Sequence, residues 1–388
     1  MRILGIETSC DETAVSLIEA TGELPKPTFK VLGDSLYSQI AIHAQYGGVF
    51  PMMAKRHHAL NIVQLLVKTL QEAGEYHEAT ISLDAELEAK IVKLLEREDD
   101  LGKDILNLAK KIQAPKIDAI AVTFGPGLEP ALWVGVNFAR ALSLLWNIPI
   151  IPTNHMQGHI YSVLLSTTGE MQPINFPIVS LLISGGHTEL VKLIDWTKAE
   201  VIGRTRDDAV GEAFDKVARI LGLPYPGGPE ISKLADQHRA ESTNEDKWKL
   251  PRPMINSGDI DFSFSGLKTA VLYAVKKHGD LNEQDKKDLA REFEDAVVEV
   301  LIKKTKKAIE EVCSNTVIIG GGVSCNKAIR SAFEKLAIGE NLNVILPNPK
   351  MSTDNSVMIA IAGYINLQTG LMTFDGDEVI KAVGNLSF

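Results

Sequence analysis

Two histidines, His155 and His159, lie four residues apart in the segment 154–159. On a helix this spacing places both imidazoles on one face, where both can reach one metal ion. Asp354, at the start of a later apolar helix, is the carboxylate that would complete a site of two histidines and one carboxylate with open positions. The alternative for Asp354 is an ordinary residue at a helix N-terminus. Such a ligand set suits Fe²⁺, Zn²⁺, Mn²⁺ or Mg²⁺, and the residue types do not choose among them.

Glycine-rich turns after predicted strands are the candidate nucleotide-binding segments. The Ser-Gly-Gly-His turn at 184–187 follows the predicted strand 178–183, and the three glycines at 320–322 follow the predicted strand 316–319. Glycines at such turns let the backbone approach a flat or anionic ligand closely, and a helix N-terminus favours negative charge. Neither turn is a P-loop or a dinucleotide fingerprint. Asp208, Glu212 and Asp215, which their spacing places on one predicted helix face, indicate either a cation or ligand site or a solvated surface.

The amino-acid composition limits the classes of protein to which the chain can belong. The chain has 388 residues, 45% of them hydrophobic and 23% charged, with a net charge of −10. This negative net charge argues against a protein that binds nucleic acid over most of its surface, although it is compatible with a local basic patch. Three scattered cysteines indicate a reducing compartment without a disulfide framework. We see no signal peptide, and the apolar stretch 117–152 is broken by glycine, proline and charge, so we expect a cytoplasmic enzyme without a membrane span.

The order of apolar segments predicts an α/β chain with two domains. Strands at 2–7 and 14–19 flank a polar turn, and the strand, turn and strand around 178–193 repeat that plan. We expect an N-terminal domain over 1–165 and a C-terminal domain over 166–388 that carries the nucleotide-binding turns. A charged segment at about 76–116 has apolar residues at helical spacing, which predicts a helical insert, broken near Gly102.

The set of motifs resembles the family of tRNA threonylcarbamoyladenosine synthesis proteins, and within it the TsaD group. The segments that carry this resemblance follow one another along almost the whole chain outside 76–116, at 5–13, 43–48, 154–159, 184–188, 211–216, 225–229, 262–268, 320–326 and 353–355. The resemblance implies the actin-like ATPase fold, with two related α/β domains around a nucleotide cleft. It also implies transfer of the threonylcarbamoyl group from threonylcarbamoyl-AMP to N6 of adenosine 37, in tRNAs that read codons starting with A.

The same resemblance implies ligands, partners and site residues. His155, His159 and Asp354 would hold one divalent metal ion, with Fe²⁺ as the first expectation and Zn²⁺ or Mg²⁺ as alternatives. The expected partners are tRNA, a paralogous TsaB-like subunit and a small TsaE-like P-loop ATPase, without a membrane. No residue stands out as the general base. The residues that would bind the adenylate are Leu182, Ile183, Ser184, Gly185, Gly186, Asp215, Gly228 and Asn326.

The sequence departs from the family pattern at positions 52 and 55, and other functions remain as alternatives. Met52 and Lys55 stand where the family usually has Glu and Ser, in a helix expected to meet the partner subunit. Our hypothesis for the insert is that it extends the partner or tRNA surface. Three alternatives remain: a metalloprotease, a catalytically idle scaffold subunit, and a sugar or acetate kinase of the same fold. Met156 replaces the general-base Glu of zinc proteases, which counts against the first.

Overall fold

The computed structural model of the chain describes residues 1–241 and 247–388. The strands, in chain order, are β1 Arg2–Glu7, β2 Glu12–Thr21, β3 Thr28–Ser38, β4 Ala119–Gly125, β5 Ile150–Asn154, β6 Ile178–Ile183, β7 Thr188–Leu193, β8 Ala199–Arg204, β9 Thr316–Gly320 and β10 Asn343–Ile345. The α-helices are α1 Ile40–Ala44, α2 Pro51–Glu72, α3 Ala85–Leu94, α4 Asp99–Ala109, α5 Glu129–Trp146, α6 His155–Val163, α7 Val210–Ile220, α8 Gly227–Ala240, α9 Ser265–His278, α10 Glu283–Val312, α11 Lys327–Glu340 and α12 Ser356–Gln368.

Two compact units make up the chain. The first consists of Met1–His43, Val49–Pro173 and Asp354–Phe388, and the second of Ala44–Gly48 and Ile174–Thr353. This division differs from the expected boundary between 165 and 166, because the chain returns to the first unit at Asp354. The helix α12 is apolar on all sides and packs against α6 and against β1, β2, β4 and β5. A helix of this kind has to be covered on every face, and the first unit provides that cover.

Each unit is built on a five-stranded mixed sheet, and the two sheets have the same topology. The first has the order β3-β2-β1-β4-β5, in which β1 to β3 are antiparallel and β1, β4 and β5 are parallel. The second has the order β8-β7-β6-β9-β10, with the corresponding directions. A three-stranded meander followed by two parallel strands, used twice in one chain, is the arrangement of the actin-like fold. The predicted fold class and the predicted duplication are confirmed.

The segment 76–116 forms the two predicted helices, α3 and α4, and these belong to the core of the first unit. Ile91, Leu95, Leu101 and Ile105 are at most 1% exposed and pack among apolar side chains of α2 and α5. The two helices are separated at residues 95–98, and Gly102 lies inside α4 rather than at the break. An apolar face buried in this way is needed for the stability of the unit itself.

The apolar stretch 117–152 folds into β4, α5 and the first part of β5, as predicted from its breaks. Among the described residues, the helices are either too short or too polar to cross a membrane.

Candidate functional site

The two histidines stand at the beginning of α6, immediately after β5. Asn154 caps this helix, because its Oδ1 accepts hydrogen bonds from the backbone N–H of Met156 at 2.8 Å and of Gln157 at 3.4 Å. His155 and His159 follow on one face of the helix, with ring centroids 4.7 Å apart. The four-residue spacing therefore has the effect that the sequence predicted.

Asp354 comes to the histidines from the start of α12. Asn355 is the N-cap of that helix, and its Oδ1 accepts from the backbone N–H of Met358 at 2.9 Å. Asp354 therefore lies one residue before the cap, and its carboxylate is turned toward α6 instead of capping α12. Its Oδ1 lies 3.1 Å from Nε2 of His159 and 3.5 Å from Nε2 of His155.

These three side chains form a donor set that fits one metal ion. One ligand atom from each residue lies within 4.8 Å of the others. Metal–nitrogen bonds of about 2.1 Å hold neighbouring ligand atoms ~3 Å apart, close to the 3.1 and 3.5 Å that separate Asp354 from the two histidines. Both histidines are buried, and the Asp354 side chain is 22% exposed. The cluster is thus both shielded and reachable from one side.

Glu7, at the end of β1, supports the cluster from behind. Its carboxylate is fully buried, and its Oε2 lies 3.0 Å from Nδ1 of His155. The same carboxylate accepts hydrogen bonds from the Thr123 hydroxyl at 2.7 Å and from the backbone N–H of Ser9. A carboxylate only accepts hydrogen bonds, so it holds the proton of His155 on Nδ1 and leaves the lone pair of Nε2 for a metal.

Sequence reasoning missed Glu7. The available signal was its position directly after the buried residues 3–6, as the last residue of the strand Arg2–Glu7. A buried carboxylate at such a place is costly unless it is paired, so it indicates a partner elsewhere in the fold.

The charges of the cluster compensate one another. Burial disfavours protonation of His155, but the carboxylates of Asp354 and Glu7 outweigh burial and raise the His155 pKa well above its usual value. Burial also opposes ionisation of Asp354, yet the two histidines hold its pKa well below the usual range. Two carboxylates thus bind a proton at His155, and a divalent ion at the same place would compete with that proton.

Further acidic groups lie on the β1–β2 turn beside the cluster. Burial, followed by repulsion from Asp11 and Asp354, raises the pKa of Glu12 to about 10. The Ser38 hydroxyl donates to Glu12 at 3.0 Å. A cation near Asp354 would relieve this repulsion, which is the electrostatic condition that favours a metal.

The second unit contains all the residues predicted to bind the adenylate. Leu182 and Ile183 are the last residues of β6, and Ser184 begins the turn that follows. The Ser184 hydroxyl accepts from the backbone N–H of His187 at 3.1 Å, while Gly185 and Gly186 have open space at their Cβ positions. The turn lies at the carboxyl ends of the parallel strands β6 and β9, where α/β sheets bind their ligands.

Two neighbouring segments, the turn after β9 and the start of α7, need glycine to pack on this turn. A Cβ at Gly321, which has a φ of +87°, would lie 2.4 Å from the carbonyl oxygen of Ile183. A Cβ at Gly211 would lie 2.6 Å from the carbonyl oxygen of Ser184. The triple-glycine turn and the start of α7 are therefore both in contact with the predicted adenylate turn.

Asp215, Gly228 and Asn326 are tied to one another through α8. Asp215 accepts from the backbone N–H of Gly227 at 2.7 Å at the start of that helix, next to Gly228. Burial raises the pKa of Asp215, against the opposing effect of these backbone hydrogen bonds. The Asn326 amide donates to Ser232 of α8 at 3.4 Å, and its Oδ1 accepts from the backbone N–H of Ile329 to cap α11.

Two of the acidic residues of segment 207–216, Asp208 and Glu212, are paired with lysines. Lys216 lies 2.8 Å from both Asp208 and Glu212, and Lys268 lies 3.7 Å from Asp208. Asp208 precedes α7, so it is not on the helix face where the spacing put it. These contacts favour the structural interpretation of this acidic group over a cation site.

The fold and the buried His-His-Asp cluster define a protein of the actin-like class with a candidate metal centre. The sequence matches the model of the TsaD family, described as tRNA N6-adenosine threonylcarbamoyltransferase, over residues 30–79 and 98–361. The chain belongs to this family. The unmatched residues 80–97 contain α3, the first helix of the insert.

Relatives of the same description align with nearly the whole chain. A tRNA N6-adenosine threonylcarbamoyltransferase of Thermosipho africanus is 41% identical over 386 residues, covering 100% of this chain and 99% of the relative. The protein of that description from Chromobacterium violaceum is 41% identical over 372 residues, covering 95% and 94%. Among solved structures, full-length HypF in its phosphate- and nucleotide-bound form is similar with a TM-score of 0.47 and 12% identity, over 70% of this chain and 42% of that one.

Proposed function

We propose that this protein transfers the threonylcarbamoyl group of threonylcarbamoyl-AMP to N6 of adenosine 37, in tRNAs that read codons starting with A. Membership of the family supports the reaction. The observation that carries the proposal is the cluster of His155, His159 and Asp354, with a buried glutamate that fixes the histidine tautomer. A subunit that served only as a scaffold would not need this arrangement.

The cluster is the proposed metal centre, with Fe²⁺ as the first expectation and Zn²⁺ or Mg²⁺ as alternatives. An ion bound there would supply Lewis acidity for a carbonyl group under attack by a weak amine nucleophile. Glu7 keeps His155 in the tautomer that offers Nε2, and the capped start of α6 keeps both rings on one side. Neither role depends on which divalent ion is bound.

The turn 182–186, together with Asp215, Gly228 and Asn326, is the proposed adenylate site. In the reaction, a bond forms between N6 of adenine and the carbamoyl carbon, the bond from that carbon to the phosphate oxygen breaks, AMP leaves, and N6 releases one proton to solvent. The exposed backbone at Gly185 and Gly186 can approach an anionic group closely, because no side chain stands in the way. Asp215 of α7 and Asn326, the N-cap of α11, are the polar side chains of this proposed site.

The protein is proposed to act in the cytoplasm together with tRNA, a paralogous TsaB-like subunit and a TsaE-like P-loop ATPase. Two observations concern the metalloprotease alternative and the departures from the family pattern. Met156, where a zinc protease would need its general-base Glu, is 2% exposed and lies in the core. Lys55, one of the departures from the family pattern, pairs with Glu98 of the insert at 2.5 Å, so it has a role within this chain.

Mass spectrometry of tRNA nucleosides tests the proposal. An unmodified target tRNA is incubated with the protein, a source of threonylcarbamoyl-AMP and the partner proteins, and then digested to nucleosides. We expect threonylcarbamoyladenosine with the wild type and none with His155→Ala/His159→Ala. Equal product from both proteins, with native-like melting of the variant, would reject the metal centre as the site of the reaction. No product from either would reject the proposed transfer activity.

A further inference from the structure

His58 connects α2 with the turn that follows β1. Its side chain is 0% exposed, and its Nε2 lies 3.0 Å from the carbonyl oxygen of Cys10. Its Nδ1 lies 2.8 Å from the hydroxyl of Thr13. The imidazole therefore links Cys10, in the turn between β1 and β2, to Thr13, the second residue of β2.

The partners of His58 determine its tautomer. A carbonyl oxygen only accepts hydrogen bonds, so Nε2 carries the proton and donates to Cys10. Nδ1 is then the acceptor for the hydroxyl of Thr13. Burial lowers the pKa of His58 to about 4, which agrees with a neutral ring in this position.

The turn held by His58 leads directly to the proposed metal centre. The residue before Cys10 is Ser9, whose hydroxyl lies 3.3 Å from Nδ1 of His155. The backbone N–H of Ser9 donates to Glu7, and its carbonyl accepts from the N–H of Leu128 at 2.7 Å. A shift of Cys10 would therefore move the hydrogen bonds around both Glu7 and His155.

A second layer of buried side chains holds His58 itself. The amide nitrogen of Gln39 lies 3.4 Å from Nδ1 of His58 and 3.3 Å from the carbonyl oxygen of Ala54. The amide oxygen of Gln39 accepts from Nε2 of His43 at 3.2 Å. Gln39 and His43 are both 0% exposed, so this network has little freedom to rearrange.

We infer that His58 is a positioning residue for the metal centre: it fixes the carbonyl of Cys10, and through Ser9 and Glu7 it fixes His155. This inference rests on the proposed function for its catalytic meaning, but the geometry that it describes can be tested without the reaction. His58 touches none of the three proposed ligands and acts on them through the turn.

The test compares His58→Ala, His58→Gln and His238→Ala with the wild-type chain. Gln can donate to the Cys10 carbonyl in place of Nε2, whereas Ala cannot. His238 is the matched control, because it is a buried histidine of the second unit, 3.0 Å from Asp288. Two properties are measured: amide hydrogen exchange of peptides covering residues 7–13, and the affinity for Zn²⁺ and, without oxygen, for Fe²⁺.

We expect His58→Ala to speed exchange in residues 7–13 and to weaken metal binding about tenfold, the lower end of the effect of removing a supporting hydrogen bond. His58→Gln should restore most of both properties, and His238→Ala should change neither. Unchanged exchange and affinity in His58→Ala, no rescue by Gln, or an equal loss in His238→Ala would overturn the inference. If the wild type binds neither ion but His58→Ala still loosens 7–13, the positioning of the turn is supported and the proposed metal centre fails.

Discussion

Replacing Glu7 by Gln should weaken metal binding while leaving the fold in place. Gln has the shape of Glu but presents an NH₂ group as well as an oxygen. If the NH₂ group faces His155, Nδ1 becomes the acceptor and the ring proton moves to Nε2, where a metal ligand needs a lone pair. If the oxygen faces His155, the tautomer is kept but the negative charge behind the ring is lost.

The expected size follows from the contacts of Glu7. It holds His155 at 3.0 Å and is itself held by Thr123 at 2.7 Å, so it is a well-ordered partner of the ligand. Removing such a partner typically lowers metal affinity 10–100-fold, and each factor of ten is about 1.4 kcal/mol. We therefore expect a loss of about 1.4–2.8 kcal/mol in binding free energy.

Calorimetric titration with Zn²⁺, and anaerobically with Fe²⁺, measures this loss. Glu75→Gln is the matched control, because Glu75 is another carboxylate of the first unit, 7% exposed, and pairs with Arg2 instead of a histidine. The control should bind metal like the wild type. Wild-type affinity in Glu7→Gln, or an equal loss in both variants, would refute the role given to Glu7.

Three further predictions concern stability, each measured by urea unfolding. Burial lowers the pKa of His58 from 6.5 to about 4, so between these pH values the unfolded chain binds a proton at this residue and the folded chain does not. His58 should therefore contribute about 3 kcal/mol to the free energy of unfolding above pH 6.5, and this contribution should be lost as the pH falls to 4. His58→Gln should remove that part of the pH dependence, and an unchanged profile would contradict it. Lys55→Ser should cost about 1–3 kcal/mol, since Glu98, with a side chain 6% exposed, loses its partner. The double variant Lys55→Ser/Glu98→Gln should recover part of this lost stability, because no unpaired carboxylate is left. If the losses of the two single substitutions simply add in the double variant, Lys55 and Glu98 do not stabilise each other. Gly321→Ala should destabilise the fold by about 1–3 kcal/mol, because the residue has a positive φ and its Cβ would meet the carbonyl oxygen at the end of β6. Gly322→Ala should cost less, because its Cβ position has open space. Equal losses in the two variants would count against backbone strain at Gly321.

Local spacing predicted the parts of the site that lie close together in the chain. The four-residue spacing of His155 and His159 was sufficient to place both rings on one helix face. Apolar spacing likewise predicted α3 and α4. It did not indicate which surface these helices cover, because an amphipathic pattern identifies a buried face but not its neighbour.

Features that depend on distant segments were not predicted from residue patterns. Glu7 meets Thr123 because β1 and β4 pair in parallel, and that register is set by the whole sheet. The return of α12 to the first unit was missed for the same reason. Asp354 was predicted as a ligand only together with its alternative as a helix-end residue, and the structure shows that Asn355, not Asp354, caps α12.

Anomalous X-ray scattering from crystals of the wild-type protein grown with Fe²⁺, recorded on both sides of the iron absorption edge, tests the central claim most directly. A metal ion held by the three side chains should give one strong peak about 2.0–2.2 Å from Nε2 of His155, Nε2 of His159 and a carboxylate oxygen of Asp354. No peak at these atoms, or a peak bound by other side chains while these three keep their mutual contacts, would contradict it.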